Sequence, residues 1–134
     1  MRQIDPSISV SGQIQPADVP ALASAGFRMI VNNRPDGEQP GQPSASQIEV
    51  AARAAGLDYR HVPVAGGLTP QQIDAMAEAL GAATGPVFAF CAAGTRSTYL
   101  WALAQAAAGE PMDELIAKAA AAGYDIGAIR AYLR

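Results

Sequence analysis

An α/β domain with a mostly parallel central sheet flanked by helices is the fold class this sequence predicts. Short apolar runs alternate along the chain with segments of helical spacing, the pattern that βαβ units leave in a sequence. The run Val87-Phe88-Ala89-Phe90 has no polar alternation, as expected of a strand covered on both faces. Half of the 134 residues are hydrophobic, enough for one core without disulfide or metal staples.

Each element follows in order. Ile8-Ser9-Val10 predicts a short strand. Pro16 suits a first helical position, where its missing N–H costs nothing, and Val19, Leu22 and Ala23 continue at helical spacing to a stop at Gly26. Residues 27–31 predict a buried strand. Pro35, Gly37, Pro40, Gly41 and Pro43 make residues 32–43 a loop, of a length that is often functional in a compact domain. Ser46 and Glu49 have capping-box spacing ahead of a helix that stops at Gly56. Residues 57–64 predict the next strand, and Gly66-Gly67 turns the chain. Thr69-Pro70-Gln71-Gln72 starts a helix with a Thr cap, Pro at the first position and Gln at the third. Ile73, Met76, Ala77 and Leu80 form its buried stripe, and Gly85-Pro86 ends it. Beyond the 87–90 strand, helices are expected over 97–108, 111–122 and 125–133, the last two parted by Gly123. There is no internal repeat, and one domain over residues 1–134 is expected.

Composition removes several function classes. The formal net charge is −3 and the nine basic residues are scattered, so no basic stripe offers itself to nucleic acid. No stretch of about 18 apolar residues marks a membrane span, and the N-terminus lacks the apolar core of a signal peptide. The single cysteine cannot form an intramolecular disulfide; a reduced, cytoplasmic protein is expected. One Cys and one His are too few for a zinc site of three or four ligands, and no cofactor is expected.

Chemistry concentrates in Cys91-Ala92-Ala93-Gly94-Thr95-Arg96-Ser97. Cys91 falls between a central strand and a helix, where open α/β sheets bind ligands. A helix N-terminus presents free N–H groups and a partial positive charge, which favour a thiolate over a thiol. Gly94 lets the backbone turn so that successive N–H groups face inward as an anion nest. Arg96 adds a planar fork for oxyanions. A cysteine that served only as a small buried hydrophobe would need none of these neighbours. Cys91 and Arg96 are therefore the candidate catalytic pair, with Ala92, Ala93, Gly94, Thr95 and Ser97 as substrate-binding residues.

The loop resembles those of two families. Cysteine-dependent phosphatases place His before the Cys and five residues between Cys and Arg. Rhodanese-type sulfurtransferases often show Cys-x-x-Gly-x-Arg-Ser, with four residues between, the spacing found here. The chain as a whole resembles the phosphatase-like domain of beta-lactamase-hydrolase-like bacterial proteins, through Val10-Ser11-Gly12-Gln13, the segment from Val31 to Glu38 (Val-Asn-Asn-Arg-Pro-Asp-Gly-Glu), His61-Val62-Pro63-Val64 and the cysteine loop. That resemblance implies a dual-specificity-phosphatase-like fold, and its family is described both as phosphatase-like and as sulfurtransferase.

Three departures from the phosphatase pattern favour sulfur transfer. Phe90 stands where the histidine is usual. The loop is one residue short. Pro63-Val64-Ala65-Gly66-Gly67 has no acidic residue where such phosphatases usually carry the aspartate general acid. Protonating a poor alkoxide leaving group is worth about 10²–10⁴ in rate, whereas sulfite or a thiolate leaves without that help. The expected reaction moves sulfane sulfur from thiosulfate or a persulfide through a Cys91 persulfide to a thiol acceptor such as glutathione. A phosphatase acting through a Cys91 phosphocysteine is the alternative, and a non-catalytic anion-binding domain a second.

Five side chains carry two readings each. Asp36 is a general acid, or a turn aspartate before Gly37. Arg34 is a second anion clamp, or a surface salt-bridge partner. His61, the only histidine, invites a Cys–His pair but sits beside Val62 in a strand, where a structural role is expected. Tyr99 and Trp101 are core, or one of them walls the pocket.

Overall fold

The computed structural model describes residues 1–132. Its sheet is built from β1 (Arg2–Asp5), β2 (Ile8–Ser11), β3 (Met29–Asn32), β4 (Asp58–His61) and β5 (Val87–Phe90), in the order β1-β2-β5-β3-β4. β5 lies between β2 and β3 and pairs parallel with both, and β3 pairs parallel with β4. Only β1, an edge strand for which the sequence gives no periodic signal, pairs antiparallel, in a hairpin with β2.

The central strands are apolar on both faces because helices cover both. Ile8, Val10, Met29, Val31, Val87 and Ala89 face one core, with Met76, Leu100, Trp101, Leu115 and Ile126. Ile30, Phe88 and Phe90 face the other, with Val19, Ile48, Ala52 and Leu57. The period-2 split of β5 between two cores is the reason its sequence shows no alternation. Helices α3 (Pro70–Ala82), α4 (Thr95–Ala107) and α5 (Met112–Ala121) cover the first face, and α1 (Val19–Ser24) and α2 (Ala45–Ala54) the second.

Local chemistry sets the helix starts. Thr69 Oγ1 accepts from the Gln72 N–H, and Gln72 Oε1 accepts from the Thr69 N–H, the box expected there. The box expected at Ser46 and Glu49 lies two residues earlier: Ser44 and Gln47 exchange the two bonds at 3.1 and 2.8 Å. Both pairs have the same spacing, and it is Ser44, at φ −72° and ψ 156°, that has the extended backbone of an N-cap. Pro16 begins a 3₁₀ turn (Pro16–Asp18), and α1 follows from Val19 with Pro20 in its first turn. The α4 helix begins at Thr95, two residues before the expected start. The helix expected over 125–133 is a 3₁₀ segment (Gly127–Tyr132), and Leu133 lies outside the described residues. The strand expected over 57–64 is regular only over β4, although Val62 and Val64 still donate to Asn32 and Asn33 carbonyls.

Candidate active site

β5 delivers Cys91 to the carboxyl end of the sheet, and the Cys91 N–H still donates to Ser11 O at 3.2 Å. Phe90, in the position of the phosphatase histidine, is fully buried against the α1/α2 side. It contributes packing, worth about 1.5–3 kcal/mol, and no proton. Gly94, at φ +92°, is the N-cap of α4; its left-handed backbone turns the chain so that its own N–H donates to Cys91 Sγ at 3.0 Å.

The thiol is 1% exposed, and burial by itself would raise its pKa. That effect is outweighed by the N–H of Ser97, the N–H of Ala93, the Ser97 hydroxyl and the N–H of Gly94, which together bring the pKa below the usual cysteine value. The Ser97 hydroxyl is buried and has no nitrogen or oxygen partner, which leaves its proton to the sulfur. Ala92, Ala93 and Thr95 are exposed, so their part is played by the backbone.

Arg96 does not point freely at the thiolate. Its two terminal nitrogens fork Glu38 at 2.7 and 2.9 Å, and Nη1 also donates to Val64 O at 2.7 Å. Glu38 receives Arg34 as well, whose Nε reaches Oε1 at 2.9 Å. Arg34 is 4% exposed and donates from Nη1 to Gln13 Oε1 at 3.0 Å, so it is a buried member of the cluster and not a surface partner. Hydrogen bonds from Arg96 and then Arg34 hold the Glu38 carboxyl at about 2. Arg96 has its own pKa raised, first by Glu38 and in lesser part by Cys91, which places the thiolate within reach of its charge.

Glu38 is the residue that reasoning from sequence missed. It lies in the loop segment Asn32-Asn33-Arg34-Pro35-Asp36-Gly37-Glu38, but its partner Arg96 is 58 positions away and no local pattern joins them. The two asparagines fix that loop. Asn32 Nδ2 donates to Tyr59 Oη, Asn32 Oδ1 accepts from the Arg34 N–H, and Asn33 Nδ2 donates to Val62 O.

Other candidates fall elsewhere. The exposed Asp36 accepts the Ala45 N–H at 2.7 Å and so serves the first turn of α2. His61 ends β4 and meets the Arg34 carbonyl through Nε2 at 2.9 Å, a structural bond away from the thiolate. Trp101 is core. Tyr99 walls a small cavity of about 180 Å³ with Val64, Leu68, Thr95, Arg96 and Tyr132. A larger cavity of about 690 Å³ opens near Pro6, Pro86 and Trp101, at the opposite end of β5, and no charged residue or cysteine lines it. Among the described residues, no cluster of three metal-ligating side chains occurs, and no helix is long and apolar enough to cross a membrane.

The family model described as "Beta-lactamase hydrolase-like protein, phosphatase-like domain" matches residues 1–108. A Beta-lactamase hydrolase-like protein of Agrobacterium fabrum is 45% identical over 105 residues, 78% of this chain. The chain spans only 24% of that relative's length. Among solved structures, a candidate phosphatase from Neisseria meningitidis superposes with a TM-score of 0.83 at 34% identity, over 98% of this chain and 94% of that one. Tk-PTP in its active form gives a TM-score of 0.73 at 18% identity, over 98% and 90%, a likeness of fold alone. The frame is thus cysteine-phosphatase-like. The names among these likenesses support phosphatase chemistry better than sulfur transfer, which none of them mentions.

Proposed function

The chain belongs to the family of beta-lactamase hydrolase-like phosphatase-like domains; we propose that Cys91 is the nucleophile of a thiolate-based group-transfer site, and, from the site itself and not from the family, that the group it moves is sulfane sulfur. The observation that carries this reading is the engagement of both nearby loop carboxylates. Asp36 is spent on the α2 N-terminus, and Glu38 is held ionised between two arginines. Neither is poised to protonate a leaving group.

Sulfur transfer needs no such proton. The Cys91 thiolate attacks the outer sulfur of thiosulfate, an S–S bond forms to Sγ, and the donor S–S bond breaks with its electron pair leaving as sulfite. The Gly94, Ala93 and Ser97 N–H groups hold the negative charge of the persulfide as they hold that of the thiolate. A glutathione thiolate then attacks the outer sulfur and takes it as glutathione persulfide, returning Cys91 to its starting state. Arg96 neutralises the donor's charge on approach.

The phosphatase reading is supported by the names of the relatives. In it Cys91 attacks phosphorus, water hydrolyses the phosphocysteine, and Asp36 leaves Ala45 to act as the acid. One experiment separates the two. Wild-type protein is incubated with thiosulfate or glutathione persulfide, and the mass of the Cys91 peptide is measured; gain of one sulfur atom, removable by glutathione or cyanide, is expected. In parallel, phosphotyrosine hydrolysis is expected to be slow and indifferent to Asp36→Asn. Efficient hydrolysis lost in Asp36→Asn, with no persulfide on Cys91, would overturn sulfur transfer and establish the phosphatase.

A further inference from the structure

A side chain outside the loop touches the peptide that carries one of its amides. Helix α5 ends in a left-handed turn at Gly123 (φ +97°): the Gly123 N–H donates to Ala120 O and the Tyr124 N–H to Ala119 O, both at 2.9 Å. This Schellman arrangement reverses the chain and swings Tyr124 onto the cysteine loop. There the Tyr124 hydroxyl donates to Ala93 O at 3.1 Å. Its oxygen lies 2.2 Å from where a Cβ on Gly94 would stand, so Gly94 is fixed twice, by its left-handed backbone and by the phenol above it.

Ala93 C=O and Gly94 N–H belong to one planar trans peptide, so they point in opposite directions. The carbonyl is held by Tyr124, and the N–H is the donor that reaches Cys91 Sγ at 3.0 Å. We propose that Tyr124 is a positioning residue for Cys91: by holding the Ala93 carbonyl, its hydroxyl aims the Gly94 N–H at the sulfur and strengthens it as a donor. A hydrogen bond accepted by a peptide carbonyl polarises the same peptide's N–H, so the two bonds reinforce each other. The proposal rests on the reading of Cys91 as a nucleophilic thiolate, and it holds for either reaction considered above.

The groups that face this corner are few. Arg96, on α4, is bound to Glu38 and the Val64 carbonyl, and its charge bears on Cys91. Arg2 from β1 lies over Gly123 and bears on Tyr124. Burial, and then the Cys91 charge, raise the Tyr124 phenol above its usual value, so it is still a proton donor where Cys91 first ionises.

The test is the pH dependence of Cys91 alkylation by iodoacetamide in full-length wild-type and Tyr124→Phe proteins, with the Gly94 amide proton followed by NMR across the same range. Phe keeps the ring against Gly94 and removes only the hydroxyl. The alkylation midpoint is expected to rise by about half a unit to one unit, with a roughly threefold to tenfold slower rate at neutral pH. The Gly94 amide shift, which follows Cys91 ionisation in wild type, is expected to lose most of its amplitude. A wild-type midpoint at the free-cysteine value of about 8.5 would instead remove the nucleophile reading itself. A depressed wild-type midpoint that Tyr124→Phe leaves in place, with the Gly94 response intact, would reduce Tyr124 to packing and overturn the proposal, even if thermal stability fell.

Discussion

The cysteine loop and the arginine cluster beside it handle negative charge in different ways. Around Cys91, charge is held by N–H groups of Ser97, Ala93 and Gly94, all within six residues of the sulfur. Around Arg96, charge is held by side chains from three distant segments: Arg34 and Glu38 from the loop after β3, Gln13 after β2, and Arg96 itself on α4. Backbone donors are fixed once the turn is made and cost no side-chain entropy. The guanidinium cluster needs long side chains in one geometry, and a carboxylate of the protein, Glu38, already occupies both arginines. The first device is a permanent cradle, and the second one an anion must compete for.

The sharpest break in that contrast comes from the sulfur itself. Cys91→Ser should lower turnover by about a thousandfold or more, because a hydroxyl in the same cradle is not ionised near neutral pH. Circular dichroism should show an unchanged fold. Retained turnover in a folded Cys91→Ser protein would mean that the cradle serves another group.

Arg96→Lys comes next. Lysine keeps the charge but cannot fork Glu38 and reach the Val64 carbonyl together. Activity should fall by roughly tenfold to a hundredfold, mostly through KM, while the alkylation midpoint of Cys91 moves little. An equal effect on both would show that the cluster and the cradle act as one unit.

The smallest effect is expected for Glu38→Gln, and it carries a pH signature. Folded Glu38 titrates at about 2 against an ordinary value of 4.5, so between those values the folded chain binds fewer protons than the unfolded one. Its stabilising contribution is therefore whole above about 4.5 and is lost as the pH falls to about 2. Solvent screens the group, so the contribution is modest. Urea unfolding of wild type and Glu38→Gln across that range should show a gap that closes on acidification; a constant gap would place the cause outside the ion pairs.

Local features were legible in the sequence, and features joining distant segments were not. The strand–Cys–Gly–Arg–Ser order predicts the cradle because the chemistry lies in consecutive peptides. The apolar run of β5 predicts a strand with two covered faces, and Thr69-Pro70 predicts the start of α3. The box at Ser44 was misplaced because Ser46 and Glu49 offer the same spacing, and only the extended backbone at Ser44 distinguishes them. β1 escaped because an exposed edge strand needs no hydrophobic period. Glu38 and Tyr124 escaped because each is recognised only by what it touches across the fold. Sulfur transfer, favoured by the length of the loop, finds no echo in the names of the relatives, since a loop one residue shorter leaves the frame unchanged.

The position of β5 bears on the order in which the protein matures. It is the last strand in sequence and sits between β2 and β3. Until residue 90 has been made, the chain holds a hairpin and a parallel pair with nothing to join them, and contacts across so many residues form late. Cys91 emerges at the end of that joining strand. Its three amide donors assemble only when β5 has docked and α4 has started, so the nascent cysteine has the acidity of an ordinary thiol. Completion of the sheet is what brings the thiolate-stabilising amides to Cys91, and an unfinished or unfolded chain carries it mostly as the thiol.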